Sequence, residues 1–188
     1  MMTRDQALQF LYEHMESPNL RRHCLAVEAV MKGLARYFKE DENLWGIVGL
    51  LHDADYEATK NHPEEHTKKV LEWLANFDTG DDVKDAIMAH GWGYVEGNPE
   101  PKTKMEWSLY CCDELTGFIV AVALSRPDRK LSSVSVENIR KKWKEKAFAR
   151  AVNREQISQC EGRLDIPLDE FLEITLTAMQ GIAGDLGL

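Results

Sequence analysis

Residues 44–53 read Leu44-Trp45-Gly46-Ile47-Val48-Gly49-Leu50-Leu51-His52-Asp53. An uncharged, apolar run ends in an imidazole and a carboxylate side by side. The run reads as a buried helix, with Gly46 and Gly49 letting a neighbour pack close. An ionised carboxylate in such a place is costly unless it is paired or bound to a metal. Imidazole and carboxylate together make half of a divalent-metal site. Adjacent His and Asp are common by chance, so the weight of this pair depends on its company: His23, His66, His90 and Asp113.

Outward from this stretch, helical periodicity runs through the chain, and no segment shows sustained alternation with hairpin turns. Thr3 and Gln6 resemble a capping box opening a first helix to about Glu16. Ser17-Pro18 supplies an N-cap and an N1 proline for a second, whose apolar stripe of Leu20, Val27, Val30, Met31, Leu34 and Phe38 encloses His23. Asp41 caps the third, which delivers His52-Asp53 at its end. Residues 54–62 read as a polar loop. Pro63 opens a helix with the stripe His66, Val70, Trp73, Leu74 and Phe77, broken by Asp78-Thr79-Gly80-Asp81. A short helix then puts Val83, Ile87 and His90 on one face. Gly91 to Pro101 is irregular and reads as a wall or lid of a cleft. A long helix from about Thr103 to Leu124 carries Leu109, Asp113, Thr116, Val120 and Leu124, and Arg126-Pro127 ends it. A basic helix from Val136 to about Ala151, a short one closed by Gly162 and a last one opened by Pro167 and Asp169 complete the chain. The expected fold is all-α, one domain over residues 1–188 with about seven to nine helices, a motif core at about 20–125 and C-terminal helices 132–188 packing on it.

At 188 residues and 44% hydrophobic content the chain can build one sizeable core. Its net charge of −9 argues against nucleic-acid or anionic-membrane binding by the whole surface. No apolar stretch reads as reaching the roughly 18–20 residues of a membrane span. The N-terminus lacks the apolar core of a signal peptide, so the default expectation is cytoplasmic. Cys24, Cys111, Cys112 and Cys160 fit no zinc-ribbon spacing and read as reduced, buried thiols.

His23, His66, His90 and Asp113 share one property with His52-Asp53. Each stands where helical spacing calls for an apolar core residue. A single core histidine is ordinarily a satisfied structural residue. Four core histidines and two core aspartates would each need a separate hydrogen-bond partner, whereas a shared metal centre satisfies all of them.

The order H…HD…H…H…D on a helical chain resembles the HD-domain superfamily of metal-dependent phosphohydrolases. The surrounding words match too: Arg22-His23-Cys24, Gly49-Leu50-Leu51-His52-Asp53 and Asp113-Glu114-Leu115-Thr116-Gly117. The chain as a whole is similar to small bacterial HD-domain proteins. The resemblance implies one metal held by His23, His52, Asp53 and Asp113. His66 and His90 match the places that hold a second, with Asp53 bridging and the His52-Asp53 pair at the catalytic centre. Donors of this kind suit Fe, Mn, Co, Ni or Zn, as one or two ions. One departure follows Asp53. Many two-metal relatives read HD-x-G-K, but this chain reads His52-Asp53-Ala54-Asp55-Tyr56 and lacks that lysine. Asp55 and Glu57 read as solvated loop residues or as a general acid or base. His62 reads as a surface residue or as a support for a metal ligand, and His14 as a solvated one.

Charge is the second feature. Between Arg126 and Arg154 stand ten basic residues against three acids, a local +7 that leaves −16 for the rest. Such a run is a solvated helix face, a substrate-anion site, or a surface for nucleic acid or a partner. Arg126 and Lys130, just past the helix carrying Asp113, are the candidates for holding substrate. The expected function is hydrolysis of a nucleotide or other small phosphate ester by metal-bound water. The other readings are a diiron oxygenase of the same superfamily and a non-catalytic nucleotide-binding module. No glycine-rich phosphate loop or nucleophile-elbow motif is present. The partner expected is a small phosphorylated substrate, with no membrane and no nucleic acid; oligomeric state stays open.

Overall fold

A computed structural model describes all residues 1–188. Every regular element is helical: eleven α-helical segments and three 3-10 turns. This is more than the seven to nine expected, because some polar or glycine-rich connections close a single helical turn of their own. The first three helices start where their caps dictate. Thr3 and Gln6 form a reciprocal capping box at α1, Arg4–His14. Ser17 caps α2, Pro18–Phe38, with proline in its first turn. The Asp41 carboxylate accepts from the Asn43 and Leu44 amides at the start of α3, Glu42–Leu51.

After His52-Asp53 comes α4, a single turn at Tyr56–Thr59 in the segment read as a loop. The helix expected from Pro63 is interrupted. A 3-10 turn covers Pro63–Glu65, Thr67 adopts φ 69°, and only then does α5, Lys68–Trp73, begin. His66 therefore sits at a break between two turns. Then come α6, Asp81–His90, and α7, Lys104–Leu124. The basic helix is shorter than expected: α8 spans Val136–Trp143, and turns follow. There the Arg154 guanidinium donates to the carbonyls of Trp143, Glu145 and Phe148 and lies over the Phe118 ring, so this arginine ties down the chain where the helix stops. Helix α9, Arg154–Leu164, runs through Gly162 rather than ending there. Two further helices follow, α10, Leu168–Gln180, and the single-turn α11, Ala183–Leu186.

The centre is α7, packed against α2, α6, α9 and α10. It is buried nearly all round (Cys111, Cys112, Leu115, Phe118, Ile119 and Val122 all lie inside), which is why its sequence shows no clean stripe. It also corrects the expectation that no stretch reaches membrane-spanning length. Its 21 residues pass that test by length and composition, with two thirds of the relevant window buried inside the protein. The interspersed Lys104, Glu106, Asp113 and Glu114 hid its length from the sequence reading. The hydrophobic core is one cluster running from Met2 to Leu186, and it includes Ile139, Ile157 and Phe171 from the C-terminal helices.

Helices α2 and α3 form the tightest pair, and Gly49 is the reason. A Cβ there would lie 2.8 Å from the Val27 carbonyl oxygen and 2.9 Å from Glu28 backbone atoms. At Gly46 the added carbon meets only the flexible side chain of Lys32. Gly49→Ala should therefore destabilise by about 1–3 kcal/mol, with roughly 2–4 °C of Tm lost per kcal/mol at this chain length. Gly46→Ala should be near neutral, since it gains helix propensity. Equal Tm values for the two variants would contradict this packing.

Candidate metal centre

Each polar core residue comes from a different place in the fold. His23 lies in the second turn of α2, and His52-Asp53 just past the end of α3. His66 stands at the break before α5, His90 ends α6, and Asp113 is midway along α7. The structure brings all six together. The His23 Nε2 lies 2.9 Å from Asp113 Oδ1 and 3.6 Å from Asp53 Oδ2. The His52 Nε2 lies 3.4 Å from Asp113 Oδ1 and 3.7 Å from Asp53 Oδ2. On the other side, His66 Nε2 and His90 Nε2 each lie 3.4 Å from Asp53 Oδ1. One oxygen of Asp53 thus faces His23 and His52, and the other faces His66 and His90.

The far nitrogen of each ring sets its tautomer. The His52 Nδ1 donates to the Gly49 carbonyl at 2.8 Å, and His90 Nδ1 to the Ile87 carbonyl at 2.5 Å. The Thr116 hydroxyl donates to the Asp113 carbonyl at 2.8 Å, leaving its oxygen to accept from His23 Nδ1 at 3.3 Å. The His66 Nδ1 donates to Asp55 Oδ1 at 2.8 Å. With Nδ1 protonated, each Nε2 faces the centre and offers it a lone pair when the ring is neutral. The buried His90 Nε2 has no hydrogen-bond partner at all. Two donors each about 2.1 Å from one tetrahedral ion lie about 3.4 Å apart, which matches these separations. His23, His52 and Asp113 form one group close enough to share an ion, and His52, Asp53 and His90 another. The residues fit a metal.

Burial opposes ionisation of Asp53 and Asp113, but the facing imidazoles outweigh it and hold both carboxylates below their ordinary range. Burial likewise works to lower His23. The hydrogen bond and charge of Asp113, aided by Asp53, overcome it and raise His23 to about 9.

Asp55 corrects the solvated-loop reading. It is fully buried, with Oδ1 accepting from His66 and Oδ2 from the Val70 amide at 3.0 Å, so it orients the His66 ring. Glu57 points away and accepts from the amides of Glu16 and Ser17. His62 is exposed beside Glu64, as expected, whereas His14 is half-buried between Phe10 and Trp73.

Arg126 and Lys130 do not reach the cleft. Arg126 lies 13 positions beyond Asp113, on the order of 20 Å along a helical rise. Its guanidinium donates to Ser133 at 2.6 Å and Asn138 at 3.0 Å, tying the start of α8 to the end of α7. Lys130 is exposed. The cleft beside the centre is lined instead by Tyr56, Lys60, Tyr94, Glu114 and Gln156, with Asp53, His66, His90 and Asp113 at its base.

Sequence reading missed two supporting residues. Thr116 stands three residues after Asp113 on the same helical face, a spacing that could have disclosed it. Asn98 carries no such signal. Its amide donates to Thr67 Oγ1 and to the Met88 carbonyl, both at 2.9 Å, joining the residue after His66 to the helix that ends in His90.

A family model described as HD domain matches residues 20–115. That is just over half of the chain, and it takes in all six residues of the centre; the protein belongs to the HD-domain family. HD domains bind divalent metals, and the buried His and Asp cluster is compatible with that. No curated protein matches the chain.

The His23 proton gives the centre a pH dependence. A metal must displace it, so apparent affinity should rise with pH, by up to about tenfold per unit from neutral pH to about 9, then level off. In the metal-free protein the sign is opposite. The raised pKa stabilises the fold fully below His23's ordinary 6.5, and that contribution is lost as pH rises through about 9. Competition titration against a chelating indicator reads the affinity, and a profile flat from pH 7 to 9 would contradict the assignment.

Proposed function

We propose that the protein is a metal-dependent phosphohydrolase acting on a nucleotide or another small phosphate ester, with two ions held on either side of Asp53. The observation that carries this reading is the division of the Asp53 carboxylate, one oxygen facing two imidazoles and the other facing two more. His23, His52, Asp113 and Asp53 would hold one ion, and His66 and His90, with Asp53, would hold the second. Bound divalent ions supply Lewis acidity toward phosphoryl oxygens and lower the pKa of water toward neutrality.

The chain's own residues supply placement. Gly49, Ile87, Thr116 and Asp55 fix the four rings, so little reorganisation remains when substrate enters. The cleft walls carry no serine or cysteine. The four thiols are buried, and burial pushes them up, Cys160 to about 12, so none is poised as a nucleophile. A cleft of about 350 Å³ lies at the small end of ligand pockets, about 300–1,000 Å³.

Elemental analysis and a phosphate-ester panel on Mn-, Fe-, Co- and Ni-loaded protein test the reading. The expected result is two ions per chain and metal-dependent phosphate release. Asp53→Ala should retain little metal and lose at least about a hundredfold in kcat/KM. Silence on every ester, with an iron absorption band that changes with O₂, would assign oxygenase chemistry instead.

Asp55→Asn separates the two halves of the centre. Both Asp55 oxygens accept hydrogen bonds, so an amide sets an N–H against a donor. Affinity at the His66–His90 half should fall about ten- to hundredfold, taking stoichiometry from two ions toward one. A single ion in the wild type would overturn the two-ion assignment.

A further inference from the structure

We propose that Lys60 and Tyr56 form the substrate-recognition subsite of the cleft. Lys60 holds a phosphoryl group, and Tyr56 packs against a flat organic group on the same molecule. The inference rests on the phosphohydrolase reading and assigns residues to it that the HD motif does not contain.

Charge is the first argument. The cleft presents Asp53, Asp113 and Glu114, and an entering anion is repelled by all three. Apart from histidine, Lys60 is the only cationic side chain among its 13 lining residues. Lys60 is exposed and makes no ion pair and no side-chain hydrogen bond, though Glu57 lies near enough to feel its charge. Glu57, three residues earlier, accepts from the Glu16 and Ser17 amides. Glu114 accepts from the Asn153 backbone amide, and the Tyr94 hydroxyl beside it donates to Gln156. Asp53 and Asp113 face the imidazoles. An ammonium left free beside a phosphate-processing centre is a compact point charge of the kind that binds phosphoryl oxygens.

Placement is the second argument. Tyr56 and Lys60 are four residues apart, and Lys60 keeps right-handed helical angles past the end of α4, so the two share one face. The Tyr56 ring stands edge-on to His66, with centroids 5.6 Å apart. It is 47% exposed, and Tyr94, also lining the cleft, is 56% exposed. Only four large hydrophobic side chains in the whole protein are at least that open, Met1, Tyr56, Tyr94 and Leu124, and two of them line this one cleft. An exposed ring within reach of a phosphate-holding cation is a stacking surface for a planar group such as a nucleobase. The cleft volume of about 350 Å³ suits one such molecule.

Calorimetry on Mn-loaded protein tests this with three probes: inorganic phosphate, adenosine monophosphate and glycerol phosphate. The variants are Lys60→Ala, Lys60→Arg and Tyr56→Leu, each checked for metal content. Lys60→Ala should weaken all three probes by about tenfold or more with metal content unchanged, and Lys60→Arg should restore most of the loss. Tyr56→Leu should weaken adenosine monophosphate several-fold, leave inorganic phosphate unaffected and abolish the preference over glycerol phosphate. Wild-type hydrolysis of phosphate esters together with an unchanged KM in Lys60→Ala would overturn this proposal alone. A wild type that neither binds the probes nor releases phosphate would overturn the phosphohydrolase reading and this one with it.

Discussion

A carboxylate removed from water must find compensating charge or hydrogen bonds, and Asp53 is placed where only imidazoles can supply them. Four rings reach it from α2, the end of α3, the break before α5 and the end of α6. Asp113 approaches the same two rings from α7. The helices need not converge for packing alone, since an apolar core forms with looser requirements. Where they converge, the Nε2 atoms of the four rings and the carboxylates of Asp53 and Asp113 face one another. The close approach of α2 to α3 at Gly49 serves the same end by bringing His23 and His52 within 3.3 Å of each other.

The two sides of the centre are built differently. His23, His52 and Asp113 stand on or at the end of well-capped helices, and their supporting bonds are local: a carbonyl three residues back for His52 and a hydroxyl three residues on for Asp113. The His66 side depends on irregular backbone. Thr67 is a buried β-branched residue at φ 69°, a conformation costing on the order of 1–3 kcal/mol. It persists because Asn98 anchors its hydroxyl and Asp55 binds both His66 and the Val70 amide. An added carbon at Gly91 would lie 2.3 Å from the Asn98 amide nitrogen, so the same contact restricts the start of the loop beyond His90.

Charge is partitioned in a way that net composition conceals. The basic stretch does structural work at several points. Arg126 joins α7 to α8, Arg140 pairs with Asp169, and Arg154 gathers the carbonyls that follow α8. The cleft itself has one lysine, contributed by a single helical turn far from that stretch in sequence. A concentration of positive charge along the chain was thus a poor guide to where an anion would meet one.

Much of the scaffold was legible because its signals are local. The Thr3–Gln6 box, Ser17-Pro18 and Asp41 each act within four residues, and the structure starts helices at all three. Four histidines and two aspartates in apolar settings disclosed the centre by cost alone, since a buried ionisable group without a partner is rarely kept. What tertiary structure decided was every feature set by a distant partner. Asp55 looks like any loop acid until His66 and Val70 close on it. The Pro63 helix breaks because His66 must turn toward Asp53. Asn98 and Lys60 gain meaning only from what stands opposite them. Periodicity and capping are written in neighbouring residues, but which side chain faces which across a cleft depends on how the helices pack. A single sequence does not record that.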